Sequence, residues 1–404
     1  MNAVFDTIKE LAGQQEDYII RCRRTIHALA ETAAQEFKTK AFILEQAKEL
    51  GLPWEEVPTT SLIVKMDTGK PGPVVALWAD IDALPMKEDP QNLKGPRTCV
   101  SSQENTCHAC GHDAHSAMLL GAMRILHAIR GQLRGTVLFC FEEGEEPLTG
   151  VDALLQALEK YKVNRVWAIH VYAELEEGKI SVEPGPRMAG ACIPCVRFTG
   201  RSGHGSRPDL AINPLFCGAS FLNNLCTAFC NEIPAGETVT MGITTFHCGT
   251  VNNIIDNTAE IGGSFRFFSK EAGEKAKEIF KRVAETTGAM YRCKVEFLPE
   301  FSFLNVPVVN DAACALSAQK ELAELFSGDV LASCPPWYAG ESFARWLNRY
   351  PGALAFLGIR NPDAGYGAAH HNEKFDLNEA VLKEGAASTA ACAARWLAEL
   401  AETR

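Results

Sequence analysis

Apolar positions along this chain come in two periods, and the two alternate. Over the first fifty residues Ile19, Ile20, Ile26 and Leu29, then Phe42 to Leu50, recur at helical spacing, and Gly51 followed by Pro53 closes the run. A strand is predicted over Ser61–Met66, then a turn over Gly69–Pro73. A second strand over Val74–Ala79 is apolar on both faces, as a central parallel strand would be. It runs directly into Asp80-Ile81-Asp82. A helix predicted over Ala114–Arg130 leads to the apolar run Gly135–Phe141, which ends in Glu142-Glu143-Gly144-Glu145-Glu146. A helix over Val151–Tyr161 leads to Arg165–Ile169, which ends in His170. Apolar strands alternating with helices predict an α/β fold: a central, mostly parallel sheet with flanking helices. Three strands then deliver ionisable residues at their carboxyl ends, the edge where open α/β sheets build sites.

The texture changes at Pro184-Gly185-Pro186. From Ala189 to about Pro299 strands such as Ile193–Phe198 and Thr238–Phe246 mix with helices near Asn213–Asn231 and Lys270–Thr287, which reads as an α+β insert on one antiparallel sheet. Helices resume near Val308, with a strand over Ala353–Gly358 and a last helix over Asn378–Leu400. The expected division is therefore residues 1–187 and 303–404 as one domain in two parts, with 188–302 inserted. No internal repeat or low-complexity segment is present.

With 404 residues, 47% of them hydrophobic, the chain can bury one large core or two. The net charge of −11 argues against a nucleic-acid binder, which needs a basic face for phosphates. Neither a signal peptide nor an apolar run of membrane-spanning length is visible, so no membrane partner is expected. Fifteen cysteines without regular spacing fit a reducing compartment, so a cytoplasmic location is expected.

The densest cluster of chemistry is Cys107-His108-Ala109-Cys110-Gly111-His112-Asp113-Ala114-His115. Thiolate and imidazole are ligands of zinc-like metals. A closed structural zinc site would need a second Cys pair, which does not follow, and a redox Cys-x-x-Cys belongs early in a smaller domain. The acidic run from Glu142 can be a solvated surface or helix-dipole partner. Alternatively it supplies the two carboxylates that metal-assisted hydrolysis requires, one as ligand and one as general base. Residue types alone leave open which glutamates those are. His27, His115, His127 and His247 read as ordinary polar residues, and Arg23 and Arg24 as partners of acids such as Glu31. Cys192, Cys195, Cys217, Cys226 and Cys230 read as small apolar residues.

Ala79-Asp80-Ile81-Asp82-Ala83-Leu84-Pro85-Met86 and His108-Ala109-Cys110-Gly111-His112-Asp113-Ala114-His115 resemble signatures of one family, the dinuclear aminoacylase and carboxypeptidase-type metallopeptidases. The resemblance is to the amidohydrolase branch holding hippurate hydrolases and indole-acetyl-amino-acid hydrolases. Further matches are Arg23-Arg24-x-x-His27, Gly203-His204, Asn252 with Ile254, Gly340-Glu341-Ser342-Phe343, and Pro351-Gly352 before Leu357-Gly358. It implies a zinc-peptidase-like catalytic domain carrying a ferredoxin-like lid and dimerisation domain. It implies two divalent ions per subunit, zinc or manganese, with cobalt also suited to the ligand set. Their ligands would be Cys110, bridging, with His112, Glu146, His170 and His371; His370 is the reserve for the last. Glu145 would be the general base and Asp82 would orient a ligand from behind. His204 would polarise the scissile carbonyl in the partner subunit's site, making the active unit a homodimer. Asn252 and Arg266 would hold the substrate's free carboxylate. The implied activity is hydrolysis of N-acyl amino acids, such as hippurate-like or aryl-acyl conjugates. The alternatives are a dipeptidase or carboxypeptidase on the same machinery and, more remotely, a non-catalytic binding protein. The chain departs from the family pattern at Leu29-Ala30-Glu31, where His-Pro-Glu is usual, and at Glu142 and Glu143, which replace Gln and Pro and put charge beside the metals. Asp209 replaces a second lid histidine, and Ile255 a proline.

Overall fold

The computed structural model describes residues 2–299 and 301–402. They form two compact units: residues up to 185, 309–335 and from 345 onward, and residues 186–308 with 336–344. The short segment 336–344 thus joins the second unit, although sequence reasoning assigns it to the catalytic part.

The first unit is built on a seven-stranded sheet. Its order is Trp54–Val57, Ser61–Asp67, Thr136–Glu142, Val74–Asp80, Arg165–Glu176, Gly352–Arg360, Ile180–Ser181. The four central strands pair in parallel and the flanking pairs are antiparallel, so the sheet is mixed. The central strands are buried almost throughout, which is why they read as unbroken apolar runs. Helices His112–Ala128 and Leu382–Glu402 pack in the same core, with Met118, Leu119, Ala387 and Trp396 fully or almost fully buried. Each burial of a large apolar side chain of this kind is worth about 1.5–3 kcal/mol.

The second unit carries an antiparallel sheet in the order Lys294–Phe297, Cys195–Thr199, Thr258–Phe267, Gly190–Ile193, Ser302–Asn305, with Val239–His247 on the other side of Thr258–Phe267. Taken with helices Pro214–Glu232 and Lys270–Tyr291, the strand–helix–strand–strand–helix–strand succession is ferredoxin-like. Asn213 and Ser269 cap these helices, accepting from Leu215 N at 3.0 Å and Ala272 N at 3.1 Å. Phe198, Phe221, Phe265 and Phe280 form its core.

Several boundaries differ from expectation for local reasons. The expected strand Ile193–Phe198 is two strands, because Pro194 has no N–H for a ladder. Thr258–Phe267, the central strand of the second sheet, was not read from sequence, since Gly262, Gly263 and Ser264 interrupt its apolar pattern. His170 does not end its strand: the strand continues to Glu176, held by Gly352–Arg360. The helix expected from Ala114 starts at His112. Among the described residues no helix is long and apolar enough to cross a membrane.

Candidate metal centre and active site

Gly111 governs the local geometry. Its φ of +99° is open to glycine and strained for other residues, and a Cβ there would lie 2.4 Å from Val171 Cγ2. The Cys110–His112 turn can therefore lie directly against the Arg165–Glu176 strand. It also makes His112 the first residue of its helix.

Three expected ligands come together here: donor atoms of Cys110, His112 and Glu146 lie within 4.8 Å of one another. Cys110 Sγ is 3.8 Å from His170 Nε2. Glu146 Oε1 is 3.2 Å from His371 Nε2. His170 Nδ1 donates to Val171 O at 2.5 Å, so its Nε2 keeps a lone pair toward Cys110. The same reasoning separates the two adjacent late histidines. His370 Nδ1 faces Cys110 O at 3.2 Å, and His370 Nε2 accepts from Ala173 N at 3.1 Å, so both ring nitrogens are engaged by backbone. His371 has a positive φ of 62°, and its ring reaches Glu146 instead.

Asp82 organises this arrangement. Its Oδ1 accepts from His112 Nδ1 at 3.1 Å and from Glu145 N at 3.1 Å, and its Oδ2 from Glu146 N at 3.2 Å. With Nδ1 donating, His112 Nε2 is left as the donor atom of the ring. That atom, Glu146 Oε1 and Asp80 Oδ2 are buried and make no hydrogen bond among the described residues. His112 Nε2 and Asp80 Oδ2 lie 3.2 Å apart, within ion-pair range but without hydrogen-bond geometry. Orphaned buried donors of this kind are costly unless a cation satisfies them, and thiol, imidazole and carboxylate are the donors zinc-like ions prefer. The residues fit a metal centre. The electrostatics agree. Burial, and then the charge of Glu146, push the Cys110 thiol well up, while Asp80 is raised to about 7, mainly by burial. Bound cations reverse that logic and favour the deprotonated ligands.

The neighbouring acids divide differently from the expectation that they add charge beside the metals. Glu142 Oε2 accepts from Trp78 Nε1 at 2.7 Å and Trp346 Nε1 at 3.0 Å. Glu143 accepts from Thr59 N at 2.9 Å and Thr60 Oγ1 at 2.7 Å. Both serve the scaffold. Arg23 and Arg24 also differ from the expected pairing with Glu31. Arg23 is buried against Asp113 at 2.8 Å and Glu379 at 3.3 Å, and Arg24 also pairs with Glu379. Glu31 instead accepts from Lys38 N and Thr39 N at the start of helix Phe37–Glu49. His27 is buried between Asp113, at 2.7 Å, and Glu88, at 2.9 Å.

The remaining expected residues belong to the second unit. His204 pairs with Ile254 in a two-strand ribbon, and its Nδ1 accepts from Ser206 N at 3.1 Å. Asn252 is exposed on the adjoining loop. Arg266 is half-buried in Thr258–Phe267 with no acidic partner among the described residues, and burial pulls its pKa below the usual guanidinium value. Asp80 is the residue whose part in the site sequence reasoning did not assign, although it stands in the Asp-Ile-Asp signature.

Residues 76–395 match the family pattern described as peptidase family M20/M25/M40. Thermostable carboxypeptidase 1 of Saccharolobus solfataricus is 32% identical over 97% of this chain and 98% of its own length. The N-acyl-L-amino acid amidohydrolase of Geobacillus stearothermophilus is 32% identical over 72% of this chain and 79% of its own. Among solved structures, the Bacillus subtilis YXEP protein, described as a dinuclear metal binding peptidase from the M20 family, superposes with a TM-score of 0.82. That match is at 28% identity and covers 96% of this chain and 99% of that one. A pattern matched over most of the chain, on a fold that gathers thiol, imidazole and carboxylate around orphaned donor atoms, leads to one conclusion: this chain belongs to peptidase family M20/M25/M40 and is a hydrolase of amide bonds.

Proposed function

We propose that this chain hydrolyses N-acyl amino acids, hippurate-like or aryl-acyl conjugates among them, using two divalent ions held by Cys110, His112, Glu146, His170 and His371. The observation that carries the reading is the Asp82 carboxylate gripping His112, Glu145 and Glu146 together, beside buried donor atoms without partners. Zinc or manganese, with cobalt as a further candidate, suits this mixed donor set. When bound, such ions polarise the amide carbonyl and lower the pKa of a water toward about 7.

The chain's own groups do the rest. Glu145, buried next to Glu146, takes a proton from the attacking water and hands it to the leaving nitrogen. The acceptor role of His204 Nδ1 toward Ser206 N puts its ring proton on Nε2, the form that donates to a developing oxyanion. Arg266, lacking an acidic partner among the described residues, suits the substrate's free carboxylate, with Asn252 as a further donor. In this reading His204 serves the partner's site, so the active species is a homodimer. Val239–His247 supports this: among the described residues it pairs only with Thr258–Phe267, leaving an edge with exposed Phe246. Fifteen free thiols support a cytoplasmic setting.

The test is hydrolysis of hippurate-like substrates by chelator-stripped protein reloaded with zinc or manganese. Glu145→Gln is expected to keep its ions and lose at least about 100-fold in turnover. Full turnover in that variant would overturn the mechanism. A second reading, dipeptidase or carboxypeptidase, is supported by the relative named as a carboxypeptidase. Dipeptides assayed beside acyl-amino acids decide between them, and ions without turnover of either would mean a binding protein.

A further inference from the structure

His115, one helical turn beyond Cys110-Gly111-His112, enters the same buried region and looks by proximity like a ligand: donor atoms of Asp80, His112, His115 and His170 lie within 4.8 Å of one another. Both of its nitrogens are, however, already in use. His115 Nε2 accepts the Val171 backbone N–H at 2.9 Å, and Nδ1 lies 2.7 Å from Asp80 Oδ1. An accepting Nε2 places the ring proton on Nδ1, where it is donated to Asp80, so a single neutral tautomer satisfies both contacts.

These contacts join two strands where their own ladder stops. Val74–Asp80 and Arg165–Glu176 pair from Val75–Arg165 only as far as Trp78–Ala168. Beyond that register lie Asp80 and Asp82 on one strand end and His170 and Val171 on the other strand. Asp82 holds His112, Glu145 and Glu146, and Val171 O holds His170 Nδ1. The His115 ring, 4.2 Å from that of His170, spans the gap.

We propose that His115 is a positioning residue and not a ligand: a strut that replaces the missing ladder and sets the spacing between the His112 side and the His170 side of the centre. This rests on the two-ion reading above.

His115→Asn puts an amide near the Nδ1 position and keeps the Asp80 contact. His115→Gln puts one near Nε2 and keeps the Val171 contact. Zinc titrated against a chromogenic chelator gives the number and affinity of ions, with apo-protein unfolding measured alongside. The wild type is expected to bind two ions. Each variant should keep one tight ion and bind the second about 10–100-fold more weakly, the usual cost of losing a partner behind a ligand. Two ions at wild-type affinity in both variants would overturn the strut. Histidine-selective 15N NMR of the wild type needs no variant to fold: His115 should be neutral, with its proton on Nδ1, with and without zinc. A proton on Nε2, or a ring directly bound to zinc, would also overturn it. A wild type that binds no zinc would instead sink the two-ion reading, leaving the tautomer to judge the strut.

Discussion

Replacing Asp82 by alanine removes in one step the acceptor of three hydrogen bonds, those from His112 Nδ1, Glu145 N and Glu146 N. Loss of the carboxylate behind a ligating imidazole costs about 10–100-fold in metal affinity, or about 1.4–2.7 kcal/mol. Here two proposed ligands, His112 and Glu146, lose their anchor together, so Asp82→Ala is expected near the upper end, about 100-fold. Asp82→Asn should fall lower. Its amide oxygen can still serve His112 and Glu145, which share Oδ1, whereas its NH2 meets the Glu146 N–H donor to donor. About 10-fold is expected for that variant. The assay is zinc competition with a chromogenic chelator on purified protein. Unfolding of the apo forms is followed in parallel, because each buried donor left unsatisfied costs about 1–3 kcal/mol. Affinity in Asp82→Ala within about threefold of the wild type would refute the claim that this carboxylate sets the ligand geometry, since an outer partner of that kind should cost at least tenfold.

His27 makes stability depend on pH. Burial and Arg23 oppose its charge, but Asp113 and Glu88 outweigh them and raise its pKa above the ordinary 6.5. A raised folded-state pKa gives stability fully present below 6.5 and lost as pH rises through the folded value. Denaturant unfolding from acid to alkaline pH should therefore show that loss in the wild type and not in His27→Asn; parallel profiles would contradict it. Gly111→Ala meets both a positive φ and the Val171 side chain. It should lower stability by about 1–3 kcal/mol and weaken ion binding with it, and an unchanged melting temperature would show that the turn relaxes freely.

The sheet was legible because its central strands are buried on both faces and so read as apolar runs ending in acids or histidine. Glycine and serine hid Thr258–Phe267, which is central by virtue of its neighbours on either side and not of its own pattern. At the centre, residue types identified the Cys110–His112 cluster but could not choose among four glutamates. The resemblance points to Glu145 and Glu146, whose backbone N–H groups meet Asp82 across 63 and 64 residues of chain, a contact that local spacing does not reveal. His115 looked ordinary in sequence for a similar reason, since its partners Asp80 and Val171 lie on two separate strands. Arg23 pairs with Glu379, 356 positions away, which no local spacing reveals.

Anomalous scattering at the zinc edge from crystals of this protein grown with zinc would show directly whether ions gather at Cys110. Two peaks per chain are expected beside Cys110, within reach of His112, Glu146, His170 and His371. Well-ordered crystals with no anomalous peak at Cys110 would contradict the two-ion reading.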